Sequence, residues 1–349
     1  MPVEKEAGDR KLLIGLAGAG WIGQHHGENA AANPHAELAA VYNPDTDKAR
    51  TFVRRCGAAA AVYRSYEELL QHPGLQAVII ASPNAAHAGQ AIAAAQAGKH
   101  VYLEKPLAIT LEDCRRVAET VQRAGVKLAM GYHRRLNPLA QYARRLIAEG
   151  KLGELVLAES DYFHHVPGDW DLWAWAGKKD VAGTPIHGGT GHNIDLLRSF
   201  CGEVAEVSCY RDVKMPRKIQ METEDIAVLS LRFESGVLGR VGLFLGPILP
   251  FRFTLRLFGT RGTLDNNRVW LDTMPGFEEG IRLPEAWIPD NVQGGVSETW
   301  KQALDAFIED VVLDRPPLND AVSGFNTAAV CFAALESARQ GRAVRPERL

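Results

Sequence analysis

The sequence has few of the features that mark secreted, membrane or metal-dependent proteins. Its five cysteines, Cys56, Cys114, Cys201, Cys209 and Cys331, are scattered through 349 residues with no C-x-x-C pair. An odd, dispersed set argues against a disulfide framework or a zinc knuckle and reads as a reducing compartment. No apolar run is long enough to span a bilayer. Residues 1–11 are polar and lack the apolar core of a secretory signal, so a cytoplasmic protein is expected. The formal net charge of -3 implies no strong field of either sign. Nucleic acid and anionic membrane are therefore not expected partners. H-E-x-x-H and similar helical spacings are missing, and His164 and His165, adjacent on a strand, would face opposite ways, so no metal is expected. There is no internal repeat.

What is present is the composition of a globular core, 46% hydrophobic and 23% charged, in a length that suggests two domains. Apolar runs at 12–17, 37–42, 76–81, 100–103 and 127–130 read as buried strands. They alternate with helical stretches at 21–32, 46–56, 66–71, 85–97 and 111–124. Such alternation predicts an α/β Rossmann domain, a doubly wound parallel sheet, over residues 1–132. After a helix at 138–149 the texture turns β-rich, at 155–166, 205–213, 225–233, 237–245, 251–258 and 262–271. Glu234-Ser235-Gly236 and Gly259-Thr260-Arg261-Gly262 read as hairpin turns between consecutive strands. Residues 133–349 are thus expected to form an α+β domain with an open, mainly antiparallel sheet. Two closing helices, 297–312 and 323–340, are expected to pack back on the first domain.

Gly18-Ala19-Gly20-Trp21-Ile22-Gly23 is a G-x-G-x-x-G between the first strand and the first helix. The first glycine permits the tight turn, the second lets backbone approach a pyrophosphate, and the third allows close helix–strand packing. In this context the motif predicts dinucleotide binding. The ribose-reading position at the end of the second strand holds Asn43 rather than an acid. Asp45 could supply a carboxylate, and Lys48 or Arg64 could meet a 2′-phosphate. The reading favours NAD, on Asp45 and the lack of an arginine beside Asn43, with NADP left open.

Glu104-Lys105-Pro106 falls at the C-terminal end of a later strand, the edge where open α/β sheets bind ligands. A lysine there can act as general acid/base, and Pro106 can fix the backbone through a cis bond. These residues resemble the Gfo/Idh/MocA oxidoreductase family. The likeness is carried by GAGWIG at 18–23, Ala81-Ser82-Pro83-Asn84 with His87, and Gly98-Lys99-His100-Val101 leading into Glu104-Lys105-Pro106. Arg134-Arg135-Leu136-Asn137-Pro138, Gly150-Lys151-Leu152-Gly153-Glu154, His192-Asn193-Ile194-Asp195-Leu196-Leu197-Arg198 and Ser337-Ala338-Arg339-Gln340-Gly341 extend it along nearly the whole chain. The resemblance implies NAD(P)-dependent hydride transfer to or from a sugar or polyol, as in inositol dehydrogenases. It implies Lys105 as the catalytic lysine and His192 as its partner, with Ser82, Pro83, Asn84 and His87 lining the cofactor and Glu104 near the nicotinamide ribose. It also implies a homodimer or homotetramer formed through the open sheet face.

One departure stands out. The family often carries Asp four residues before the histidine, and here that position is Gly188. Neighbouring His187 could substitute, or Lys105 and His192 could work as a pair. Arg135, Asn137, His187, Asp195 and Trp173 are candidate substrate contacts, the last because aromatic faces pack against sugar rings. Trp170 and Trp175 lie in the same loop. Gly188 keeps two other readings open. One is a dinucleotide-binding sensor without turnover. The other is an enzyme that oxidises one hydroxyl transiently, acidifying a neighbouring C–H for elimination or epimerisation.

Overall fold

The computed structural model describes residues 11–166, 173–215, 221–249, 251–274, 279–284 and 296–349. The first layer begins with β1 (Leu12–Ala17), α1 (Trp21–Ala32), β2 (Ala36–Tyr42), α2 (Thr46–Cys56), β3 (Ala61–Tyr63) and α3 (Tyr66–Leu70). It continues with β4 (Ala77–Ile80), α4 (Asn84–Gln96), β5 (His100–Leu103), α5 (Leu111–Ala124) and β6 (Leu128–Met130). The strands form one sheet in the order β3-β2-β1-β4-β5-β6, with every pairing parallel. β4 is buried at all four residues, as a strand covered on both faces must be. β3 has no counterpart among the sequence expectations. It is three half-buried residues at the sheet edge, too short to leave a periodic signal. Caps set the helix limits: the Asp45 and Thr110 side chains accept first-turn amides of α2 and α5, and Gly57 and Gly125 close both helices in the left-handed region.

The second layer opens with a 3-10 turn (His133–Leu136), α6 (Pro138–Ala148), β7 (Leu155–Phe163), α7 (Trp173–Ala176) and α8 (Lys179–Ala182). A π-helical turn (Ile186–Thr190) then leads into α9 (Gly191–Cys201). The strands β8 (Val204–Asp212), β9 (Ile226–Phe233), β10 (Leu238–Phe244), β11 (Arg252–Phe253) and β12 (Arg256–Gly259) follow. β13 (Gly262–Asp265), β14 (Arg268–Leu271), β15 (Ile281–Arg282), α10 (Val296–Val312) and α11 (Ala321–Gln340) complete the described elements. The sheet runs β15-β14-β13-β12-β7-β10-β9-β8, with β11 also on β7. Its pairings are antiparallel except β7 with β10. Both expected hairpins form: β9 turns into β10 through Gly236 at φ 87°, and β12 pairs antiparallel with β13 across 259–262. The stretch 262–271 is not one strand but two, because Asn266 takes φ 50° and turns β13 back as β14.

Helices cover one face of this sheet. Ser160 of β7 receives a hydrogen bond from Asn193 of α9, and Val330 and Ala334 of α11 join Val207 and Leu229 in one core. The opposite face presents Tyr210, Val228 and Leu238, all exposed. The last two helices bind the layers together. Leu304, Phe307 and Ile308 of α10 share a core with Ile14, Ile79 and Tyr102, and Phe325 and Ala329 of α11 share one with Val117 and Leu103. The ends of β1, β4 and β5 therefore open against the 3-10 turn, α9 and α10.

Candidate active site

The glycine loop is shaped by close contact. Gly18 stands at φ +98°, and a Cβ there would lie 2.6 Å from the Ala81 carbonyl oxygen. A Cβ on Gly23 would fall 1.9 Å from the Gly18 oxygen. At Gly20 a Cβ would meet nothing within 4 Å, so this glycine leaves approach open rather than filling a contact. No side chain caps the first turn of α1, which leaves its amides for an anion. This cradle fits a pyrophosphate. Ile22 anchors α1 on the core, while Trp21 is 52% exposed and meets Trp300 of α10 edge-on at 5.2 Å. Asn43 closes the loop from β2: its Oδ1 accepts the Ala19 amide at 3.0 Å and its Nδ2 donates to the Asp45 carbonyl. The Asp45 carboxylate caps α2 through the Asp47 and Lys48 amides.

A second edge comes from β4. The Ser82 hydroxyl donates to Gln90 at 2.6 Å, Pro83 precedes α4, and the Asn84 amide donates to the Ala182 carbonyl of α8. His87 is 1% exposed, and its ring nitrogens lie 2.7 Å from the Pro106 oxygen and 3.0 Å from the Ser82 oxygen. It ties the two cofactor-edge loops to each other.

The third edge is Glu104-Lys105-Pro106 after β5, with a cis Lys105–Pro106 bond. Glu104 is buried, accepting from His26 at 2.8 Å and from the Lys105 amide at 3.1 Å. Burial alone would raise its pKa. The His26 hydrogen bond and charge, with Lys105, outweigh this and hold it below the ordinary value. Glu104 is thus a fixed carboxylate.

Facing Lys105 is a cluster of histidines. Its charge is felt at His87, His133, His164 and His192. His192 is buried, its Nδ1 has no partner among the described residues, and its ring meets those of His133 at 5.0 Å and Tyr132 at 5.6 Å. Burial first, then the Lys105 and Arg134 charges, hold its pKa well below 6.5. It is a neutral imidazole near pH 7, able to donate or accept one hydrogen bond. His133, which sequence reasoning missed, hydrogen-bonds Thr299 at 2.8 Å. So was His26. Neither stands at a motif position, and only the fold brings them to Glu104 and His192.

The remaining sequence candidates separate. Arg135 and Asp195 pair with each other, at 2.8 and 2.6 Å, and Arg135 also reaches Ser323 of α11. Asp195 is fully buried. The Asn137 Oδ1 caps α6 through the Leu139 amide. The His187 ring packs 3.9 Å from that of Phe332, and both its nitrogens are buried without a partner among the described residues. Burial lowers its pKa, to about 3. A Cβ at Gly188 would meet nothing within 4 Å. Trp173 begins α7, but its side chain lies outside the described residues, as does Trp170; Trp175 is half-buried. Among the described residues no group of three or more His, Cys, Asp or Glu could hold a metal ion, and no helix is long and apolar enough to cross a membrane.

These buried histidines make stability depend on acid. His87, His133, His164, His187 and His192 all have pKa values lowered chiefly by burial, to about 4 for His164 and about 3 for His187. Unfolded, each binds a proton near 6.5, so below that pH the unfolded chain holds more protons than the folded one. Stability is expected to fall from about pH 6.5 toward about pH 4, by up to about 1.4 kcal/mol per pH unit for each histidine. Urea unfolding at pH 7.5, 6 and 5 measures it, and a midpoint that does not move would contradict it.

A glycine cradle that fits a dinucleotide, at the edge of a doubly wound parallel sheet, defines a nicotinamide-dependent oxidoreductase. The chain belongs to the Gfo/Idh/MocA family: residues 12–132 match its oxidoreductase model, the NAD-binding Rossmann fold, and residues 140–265 match its C-terminal domain. It is 27% identical over 338 residues to myo-inositol 2-dehydrogenase of Thermotoga maritima, covering 96% of this chain and 99% of that one. A levoglucosan dehydrogenase solved with NADH and levoglucosan has the same fold, with TM-score 0.88 at 23% identity over 97% of this chain and 100% of that one. The WlbA dehydrogenase of Bordetella pertussis, solved with NADH and UDP-GlcNAcA, superposes with TM-score 0.82 at 27% identity, over 98% and 99% of the two chains. The cofactor is NAD.

Proposed function

We propose that the protein is an NAD-dependent dehydrogenase or keto-reductase of a sugar or polyol, with Lys105 as acid/base and His192 as its partner. What supports this is the glycine cradle after β1, Lys105 after β5 of the same parallel sheet, and a buried His192 whose pKa is lowered by burial and by the Lys105 charge. When bound, the nicotinamide takes up or returns two electrons and one hydrogen from the substrate carbon. Lys105 removes the proton from the carbinol oxygen in the oxidising direction and returns it in the reducing one. His192 hydrogen-bonds the same oxygen and stays uncharged through the cycle. Glu104, fixed by His26, orients the Lys105 backbone and stands at the ribose side. Gly18, Gly20, Trp21, Ile22 and Gly23 form the pyrophosphate and nicotinamide edge, and Ser82, Pro83 and Asn84 the adjacent wall. His87 supports that wall from behind, and Arg135 with Asp195 hold the floor. The retained lysine–histidine pair favours turnover over a sensor role.

The test is NADH formation across a panel of polyols, aldoses and sugar acids with NAD and NADP. Signal that depends on Lys105 supports the reading, and silence with confirmed NAD binding rejects it.

The protein is read as a cytoplasmic homodimer or homotetramer, with carbohydrate rather than nucleic acid or membrane as its partner. All five cysteines are free, consistent with a reducing compartment. Tyr210, 85% exposed, and Val228 offer an apolar strip on the uncovered sheet face. Tyr210→Asp is expected to shift the assembly to monomer, as measured by sedimentation. A wild type that sediments as monomer would reject the assembly.

A further inference from the structure

Among the described residues, Arg134 is a buried cation without a counter-charge. It is 4% exposed, its Nε is enclosed with no acceptor, and no carboxylate pairs with it among the described residues. Its neighbour Arg135 shows the contrast, holding Asp195 with two bonds. The Arg134 guanidinium lies 4.1 Å from the Phe253 ring centroid and 5.6 Å from that of Phe251. Ring faces attract a cation but return only part of what is lost when a charge leaves water. Burial accordingly pulls its pKa down to about 10.

Among the described residues the surroundings add no anion. Arg134 borders a small, partly open pocket with Asn137, Leu139, Leu196, Phe253 and Leu255, and no lining residue is acidic. On its other side its charge acts on His133 and His192, which also feel Lys105. Two cations therefore flank the neutral His192. The nearby carboxylate, Glu104, is bonded by His26 and the Lys105 amide, and Gly188 contributes no side chain. A buried guanidinium with no carboxylate partner among the described residues, its Nε enclosed and its charge acting on His192, is suited to a planar, bidentate anion.

We propose that Arg134 receives a carboxylate of the substrate, so that the oxidised or reduced hydroxyl belongs to a sugar acid rather than to a neutral polyol. This rests on the dehydrogenase reading above for the chemistry, but the binding claim stands separately. Arg134 is a binding residue here, and Lys105 and His192 keep their roles.

The experiment compares pairs that differ only in the carboxylate: D-galacturonate with D-galactose, and D-gluconate with D-glucitol. Binding to the NAD-loaded protein is measured by calorimetry, and NADH formation by absorbance, for wild type, Arg134→Met and Arg134→Lys. The acid member is expected to be favoured by ~10- to 100-fold in Kd and in kcat/KM, the range of a charge-assisted bidentate contact. Arg134→Met should bring that ratio toward one, through KM more than kcat, and Arg134→Lys should restore it in part. The unliganded Tm of Arg134→Met should hold or rise, because no carboxylate among the described residues is stranded and methionine can still pack on Phe253. A lowered Tm would mark a structural arginine and overturn the proposal. So would equal treatment of acid and neutral members, a preference for D-galactose 6-phosphate over D-galacturonate, or acetate binding as tightly as the sugar acids. Lys105-dependent oxidation of neutral sugars with no acid preference would leave the dehydrogenase reading standing and sink this one. Arg134-dependent galacturonate binding with no hydride transfer to any substrate would do the reverse.

Discussion

Lys105→Met is expected to lower turnover by at least ~10²-fold while NAD still binds, the usual consequence of removing a positioned acid/base group. The side chain follows a buried strand, and its backbone is held on both sides. The Lys105 amide donates to Glu104, and the Pro106 carbonyl meets His87. None of these anchors uses the ammonium group, so its loss leaves the loop intact. The glycine cradle is at a different strand end and makes no use of the lysine side chain. NAD affinity is read by fluorescence titration, and kcat by absorbance at saturating substrate. Unchanged kcat would remove Lys105 from the mechanism. Lost NAD binding would make it a cofactor residue instead.

Asp195→Ala is expected to cost about 3–5 kcal/mol of stability, because it leaves a buried guanidinium unpaired. Arg135 joins the 3-10 turn to Asp195 of α9, to the Leu318 carbonyl and to Ser323 of α11. The pair thus clamps the segment carrying His133 and Arg134 to the helix carrying His192. Denaturant unfolding measures the loss. Asp195→Leu combined with Arg135→Leu should recover much of it, since no lone charge is left behind. If Asp195 instead contacts substrate, the single variant will keep its stability and change only KM.

Much of the first layer was legible because its signals are local. Strands covered on both faces must be apolar throughout, and helices between them stop at Gly57 and Gly125, where the left-handed turn suits glycine. The G-x-G-x-x-G was legible for the same reason: contacts at Gly18 and Gly23 allow no Cβ. The second layer was legible in its hairpins but not in its full strand list. β15, of two residues, like the first layer's β3, of three, is defined by a neighbour's hydrogen bonds rather than by a pattern of its own. The 251–258 stretch divides into β11 and β12, both on β7.

The candidate site divides along the same line. By itself the sequence determined the family, the cofactor cradle and the positions of Lys105 and His192, because each depends on residues close together in the chain. Only the tertiary structure decided which neighbouring side chains face the cleft. Arg134 and Arg135 are adjacent, yet one meets Phe253 and the other Asp195. His187 and His192 are five residues apart, yet one packs on Phe332 and the other lies within reach of the Lys105 charge. Asp45, a candidate for the ribose, also caps a helix, through one carboxylate oxygen. A side chain's partner is set by what the fold brings alongside it, sometimes 60 or more residues away, and for buried charges that partner determines whether the group supports the structure or serves the ligand.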